Sequence, residues 1–182
     1  MKKITLLFIF IFLLSINAKI QGQQKDSCSF IEYGTQNVKF DTSRDSIFHL
    51  YGEVDETSGY GHSTGFVYYD EDKNIFLIFG EHDFSLVEVI IAKEFMIDED
   101  KSNIIKLDNK DITTQKGVKL GMKQREVVDI IGKPKYISNS CLIYETEGIN
   151  CPVEPWGFDI GYEACYTFIK DKLVMIDLLI SD

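Results

Sequence analysis

The residue types that could do chemistry in this 182-residue chain are carboxylates in quantity, with 29 Asp and Glu, and otherwise three histidines and four cysteines. His49 falls in a short helical stretch and reads as a surface residue. His62 lies in the glycine-rich segment SGYGHSTG, residues 58–65. Such a segment cradles phosphate when it opens a helix; here it opens a strand and reads as a hairpin connection. The trio Glu81, His82, Asp83 offers metal-ligand types, but neighbours in an extended chain point to opposite faces, so no metal site is expected. A hydrolase would need Ser63 beside His62, or Ser85 near His82, and no G-x-S-x-G elbow is present. Acidic residues offer carboxylate pairs by number alone, and spacing singles out none. No enzyme activity and no cofactor are expected.

The four cysteines are Cys28, Cys141, Cys151 and Cys165. An even count beyond an export signal reads as two disulfides, with all three pairings open. Zinc is the rival use, but the C-x2-C spacing is missing and no histidine lies near them in sequence. The candidate binding residues are aromatic. The segment Gly148 to Gly161, GINCPVEPWGFDIG, carries Cys151, two of the three prolines and the one tryptophan. A loop pinned there would present Trp156 and Phe158 as a rigid patch, the alternative being that Trp156 folds back to plug the sheet. Large aromatics are favoured interface anchors. Tyr144, Tyr166 and Tyr69 are expected to line a sheet face beside it.

The elements that must position these residues follow from pattern. Residues 1–18 have the three parts of a secretory signal peptide: Lys2 and Lys3, the apolar run Ile4 to Leu14, then small and polar residues to Ala18. The run is too short to span a bilayer, and no cysteine follows it closely enough to carry a lipid. Cleavage after Ala18 moves the net charge from -10 to about -12. A chain that acidic repels phosphate backbones, so nucleic acid is excluded as a partner. The expected location is the periplasm or the medium, with no membrane span once the signal is gone.

Beyond the signal, Val38 to Gly52, VKFDTSRDSIFHLYG, aligns without a gap to Val118 to Gly132, VKLGMKQREVVDIIG, 80 residues on. The pair suggests an internal duplication. Each copy reads as a short helix. Ile47, Leu50 and Tyr51, and then Val127, Ile130 and Ile131, fall at i, i+3, i+4. Ser43 is the expected N-cap of the first, while Gly132 and Pro134 end the second. Strands follow each helix: residues 65–69, 75–79 and 85–93, then 141–145, 164–169 and 173–180.

The stretch Gly117 to Tyr136, GVKLGMKQREVVDIIGKPKY, resembles the G-x-x-x-G-M-(S/T)-x-x-E-V-x-x-x-(L/I)-G-x-P signature of the small outer-membrane assembly lipoprotein domain and the β-lactamase-inhibitor-protein superfamily. Gly117, Gly121, Met122, Glu126, Val127, Gly132 and Pro134 fall on it, with Lys123 at the usual Ser or Thr position. The resemblance implies an α+β fold of two tandem units, each with short helices packed on a small antiparallel sheet, the first over 28–108 and the second over 109–182. The two could also share one continuous sheet. It implies, further, an exported protein that binds or scaffolds another protein on an open sheet face. The competing expectation is a small secreted hydrolase or ligand-binding protein with a pocket at His62 or His82.

Overall fold

The computed structural model describes residues 28–54, 64–82, 85–94, 104–107, 112–146, 153 and 160–181. The signal segment, His62, Asp83, Cys151, Trp156 and Phe158 lie outside the described residues. Two short helices, α1 (Arg44–Tyr51) and α2 (Gln124–Ile131), accompany eight strands. The strands are β1 (Thr64–Asp70), β2 (Ile75–His82), β3 (Ser85–Lys93), β4 (Ile105–Lys106), β5 (Tyr136–Ser138), β6 (Cys141–Glu145), β7 (Gly161–Ile169) and β8 (Lys172–Ser181).

All eight strands form one sheet in the order β4-β1-β2-β3-β8-β7-β6-β5, antiparallel except where β4 runs parallel to β1. This corrects the expectation of two tandem units with helices on small separate sheets. The joint is the antiparallel pairing of β3 with β8, from Glu88↔Leu179 to Ala92↔Met175. Its cause is visible in the two sequences. SLVEVIIAK and KLVMIDLLIS are apolar on both faces over most of their length, as central strands are. Left as edges, both would expose unpaired backbone groups on apolar strands; pairing them removes the two edges together.

Both helices lie on one face. Ile47 and Tyr51 of α1, and Val127 and Ile131 of α2, join a single core with Phe66, Phe79, Tyr144, Tyr166 and Ile176 from the sheet. Leu50 and Ile130 stay 39% exposed, so each eight-residue helix docks along its i, i+4 line and turns the i+3 residue outward. Ser43 occupies the N-cap of α1, but its hydroxyl meets Ser46 Oγ (2.9 Å) and bonds no backbone N–H of the first turn. In α2 the Lys123 N–H donates to Glu126 Oε2 at 2.6 Å, half of a capping box.

Contacts around the two helices recur at nearly constant offset. The N–H of Gly52 donates to Phe48 O, and that of Gly132 to Val128 O, both at 2.8 Å. Tyr68 donates its hydroxyl to Gly52 O at 2.9 Å, and Tyr144 to Gly132 O at 2.8 Å. Val38 N–H reaches Thr35 Oγ1 and Val118 N–H reaches Thr114 Oγ1, each at 3.0 Å. Asp41, which stands where Gly121 stands, shares its left-handed backbone (φ 70° and 88°).

Candidate functional site

The face of the sheet away from the helices is where polar groups gather. Alternation along β7 buries Tyr162, Ala164, Tyr166 and Phe168 under the helices and turns Glu163, Cys165 and Thr167 to the other side. Register extends this face across the sheet. Glu145 of β6 stands opposite Glu163 of β7, which stands opposite Leu179 of β8, itself opposite Glu88 of β3. The neighbouring row runs Tyr136, Ile143, Cys165, Asp177, Ile90. Four carboxylates therefore share two adjacent rows. Opposed like charges such as Glu145 and Glu163 destabilise a ladder; Lys135 offsets part of this with an ion pair to Glu145 at 2.6 Å.

Asp177 is the unusual member. It interrupts an otherwise apolar central strand and lies between Cys165 and Ile90. Its Oδ1 is shut off from solvent and finds no hydrogen-bond donor. Burial, then the charges of Glu88 and Glu163, push its carboxyl up from 3.8 to about 7. Such a group is costly in a fold and common in working sites. Glu88 interrupts β3 in the same manner. Neither residue stood out by motif or spacing. The signal available in the sequence is a lone carboxylate inside each of two long, largely apolar strands.

The Cys141–Cys165 disulfide links β6 to β7 on this same face, with Cα atoms 5.9 Å apart. Cys28 is disulfide-bonded too. Both bonds suit an oxidising compartment outside the cytosol.

The aromatic residues singled out by sequence are distributed differently. Tyr144 and Tyr166 are 1% and 0% exposed on the helix side, where they stack edge to face with ring centres 5.6 Å apart. Tyr69 is buried on the opposite face with Val67, Phe76, Ile78 and Ile90. The three are core residues and offer no joint surface. The connection that carries Trp156 and Phe158 leaves β6 after Glu145 and enters β7 at Gly161, so it is rooted at the Glu145–Glu163 end of the acidic face. Glu81 is buried and ion-paired with Arg44 at 3.0 Å, and His82 is exposed at the end of β2. His49 is exposed on α1. Among the described residues no group of His, Cys, Asp and Glu is arranged to hold a metal ion.

A second polar cluster lies on the helix side. Glu32 is 0% exposed. Its carboxylate accepts from Tyr166 Oη and Thr114 Oγ1, both at 2.6 Å, and from the Lys116 N–H at 2.9 Å. Burial raises the Glu32 carboxyl above its ordinary value and lowers the Lys116 ammonium. Both Glu32 oxygens are satisfied. The cluster ties the segment around Glu32 to β7 and to the segment before α2.

No protein-family model matches the chain, and no curated protein matches it. Among solved structures it is similar to a cysteine-rich secretory protein from Staphylococcus aureus, at 13% sequence identity and a TM-score of 0.42. The match covers 76% of this chain and 42% of that one, so this chain spans less than half of that protein's length. A likeness of that size carries no argument about function. No helix among the described residues is long and apolar enough to cross a membrane.

Proposed function

We propose that this chain is an exported binding protein whose working surface is the helix-free face of β6, β7 and β8, bounded on β3 by Glu88, beyond which Ile90 and Ala92 are buried. It takes there a protein partner that presents Lys or Arg side chains. The observation that carries this reading is Asp177, an unpartnered carboxylate held in the middle of that face beside Glu88 and Glu163. A cationic side chain delivered from outside would give Asp177 the partner the fold withholds, and would relieve the Glu145–Glu163 opposition. Charge of this kind speeds encounter and rejects wrong partners more than it adds raw affinity.

Three features agree with the reading. The signal-like N-terminus and the bridged cysteines suit export, with the periplasm as the specific compartment proposed. The Gly117–Tyr136 stretch resembles a superfamily whose tandem members hold protein partners on a sheet face. The recurring contacts around α1 and α2 are those expected if the two halves descend from one duplicated unit. On this reading Trp156 and Phe158 supply apolar anchors at the Glu145–Glu163 end, while Tyr69, Tyr144 and Tyr166 serve the core. Exposed His82 gives no support to a hydrolase pocket.

The test is a titration of isotope-labelled, oxidised protein lacking residues 1–18 with a short basic peptide, followed by amide resonances. Shifts are expected at Glu88, Glu163, Cys165 and Asp177, weakening with salt. A Glu145→Gln/Glu163→Gln variant is expected to bind about ten-fold more weakly, as for loss of about 1.4 kcal/mol. Shifts confined to other surfaces, or equal shifts with a glutamate-rich peptide, would sink the proposal.

A further inference from the structure

Among the described residues the sheet ends on one side at β5, three residues long, paired to β6 and carrying no strand on its outer edge. Ser138 pairs with Cys141 across the two-residue turn Asn139-Ser140, where both residues take positive φ (46° and 69°). In a two-residue hairpin the closing pair exchanges its backbone bonds inward, and bonding alternates along the strand. Ser138 and Tyr136 thus turn their N–H and C=O groups toward β6, and Ile137 turns both of its groups outward. Around this outward-facing peptide stand two large exposed apolar side chains, Tyr136 (45%) and Ile137 (61%). Natural edges are usually blunted with charge, proline or a bulge; here Pro134 and Lys135, whose N–H donates to Ile143 O at 2.9 Å, stand only at the start of β5, and the strand itself carries the apolar Tyr136 and Ile137. The opposite edge, β4, is two residues long and bears Lys106, paired with Glu71.

We propose that β5 receives an extended segment of the partner as a ninth strand, with basic residues at alternate positions facing the helix-free side. The proposal rests on the acidic-face reading for the sign of the partner's charge and adds the mode of attachment. Tyr136 and Ile143 lie on the same side as Glu145, and the Tyr136 hydroxyl reaches Glu145 Oε2 at 3.4 Å. A strand laid beside β5 therefore places every second side chain on the flank of the Glu145–Glu163 row. Main-chain bonds to Ile137 supply register, and the alternate side chains supply selectivity. A second copy of this chain is the poorer occupant. Each copy carries a net charge of -10, and pairing β5 with itself would bring two Glu145 clusters together.

The test uses the oxidised protein lacking residues 1–18, a peptide alternating Arg with Val, and its Glu–Val counterpart. The Arg–Val peptide is expected to protect the Ile137 amide from hydrogen exchange at least ten-fold. Ile137→Pro removes the outward donor while leaving the inward bonds of Tyr136 and Ser138, and is expected to weaken binding at least ten-fold. The exchange measurement on the unaltered protein decides the matter even if that variant folds poorly. Unprotected Ile137 with peptide binding still lost in Glu145→Gln/Glu163→Gln overturns strand addition and leaves the acidic face standing. Equal protection by the Glu–Val peptide, or protection that rises with protein concentration alone, overturns the proposal in favour of charge-blind pairing or self-association.

Discussion

Replacing Asp177 with Asn should make the protein more stable, and only above mildly acidic pH. The folded chain holds the Asp177 carboxyl at about 7, against 3.8 for an ordinary one, because burial and then Glu88 and Glu163 disfavour the charge. The folded state therefore binds this proton more tightly than the unfolded state does. Below about pH 4 both states are protonated and the site costs nothing. As the pH rises through the folded value, stability is lost, and above about pH 7 the loss is complete. A displacement of this size is worth about 4 kcal/mol at most. Partial solvent access to the residue reduces that to roughly 2–4 kcal/mol. Asn has nearly the same shape and no charge. Urea unfolding at pH 5 and pH 8 measures the difference. With a slope of about 2 kcal/mol/M, the midpoint of Asp177→Asn should exceed that of the unaltered protein by about 1–2 M at pH 8. At pH 5 the gain should be smaller. Glu32 also has a raised carboxyl, so the pH dependence of the unaltered protein contains both groups, and the difference between variant and parent isolates Asp177. A variant that is equally destabilised at both pH values would refute the reasoning, because Asp177 would then be a satisfied structural carboxylate.

Glu32→Ala leaves Thr114, Tyr166 and the Lys116 N–H facing an empty buried space, and should cost about 3–5 kcal/mol by thermal or urea unfolding. Glu32→Gln keeps an acceptor and should cost visibly less, so equal losses would argue against the hydrogen bonds as the cause. Tyr68→Phe and Tyr144→Phe each remove one hydroxyl bond to the carbonyl of a helix-ending glycine. Each should cost about 1 kcal/mol in urea unfolding, and a large inequality between them would contradict the equivalence of the two helix sites.

The helices and the long strands were legible because their patterns are local. Ile47 with Tyr51 and Val127 with Ile131 give the buried lines of α1 and α2, and the spans expected for the third and fourth sequence-defined strands coincide with β3 and β6. Two strands were missed. β4 is two residues and β5 is three, too short for alternation to register. The joining of β3 to β8 was left undecided because pairing between strands some 90 residues apart leaves no periodic trace. What the sequence did contain was a long apolar run in each, broken once by Glu88 and once by Asp177.

The same long-range pairing explains why the candidate site was not found from motifs. Glu88 and Asp177 are far apart in the chain, and Glu145 and Glu163 sit on two further strands. Only the register that joins β3, β8, β7 and β6 brings the four to one face. Aromatic residues, by contrast, attracted the binding assignment on type alone, and Tyr144 and Tyr166 proved to be spent on the core, where their hydroxyls close the α2 cap and the Glu32 cluster. The distinction is energetic. A buried tyrosine with its hydroxyl bonded stabilises the fold and needs no other reason to be there. A carboxylate set into an apolar strand without a donor for Oδ1 works against the fold at neutral pH, and a valine or leucine would fill the place at lower cost. The basic partner proposed for this face would supply the positive charge that Asp177 lacks.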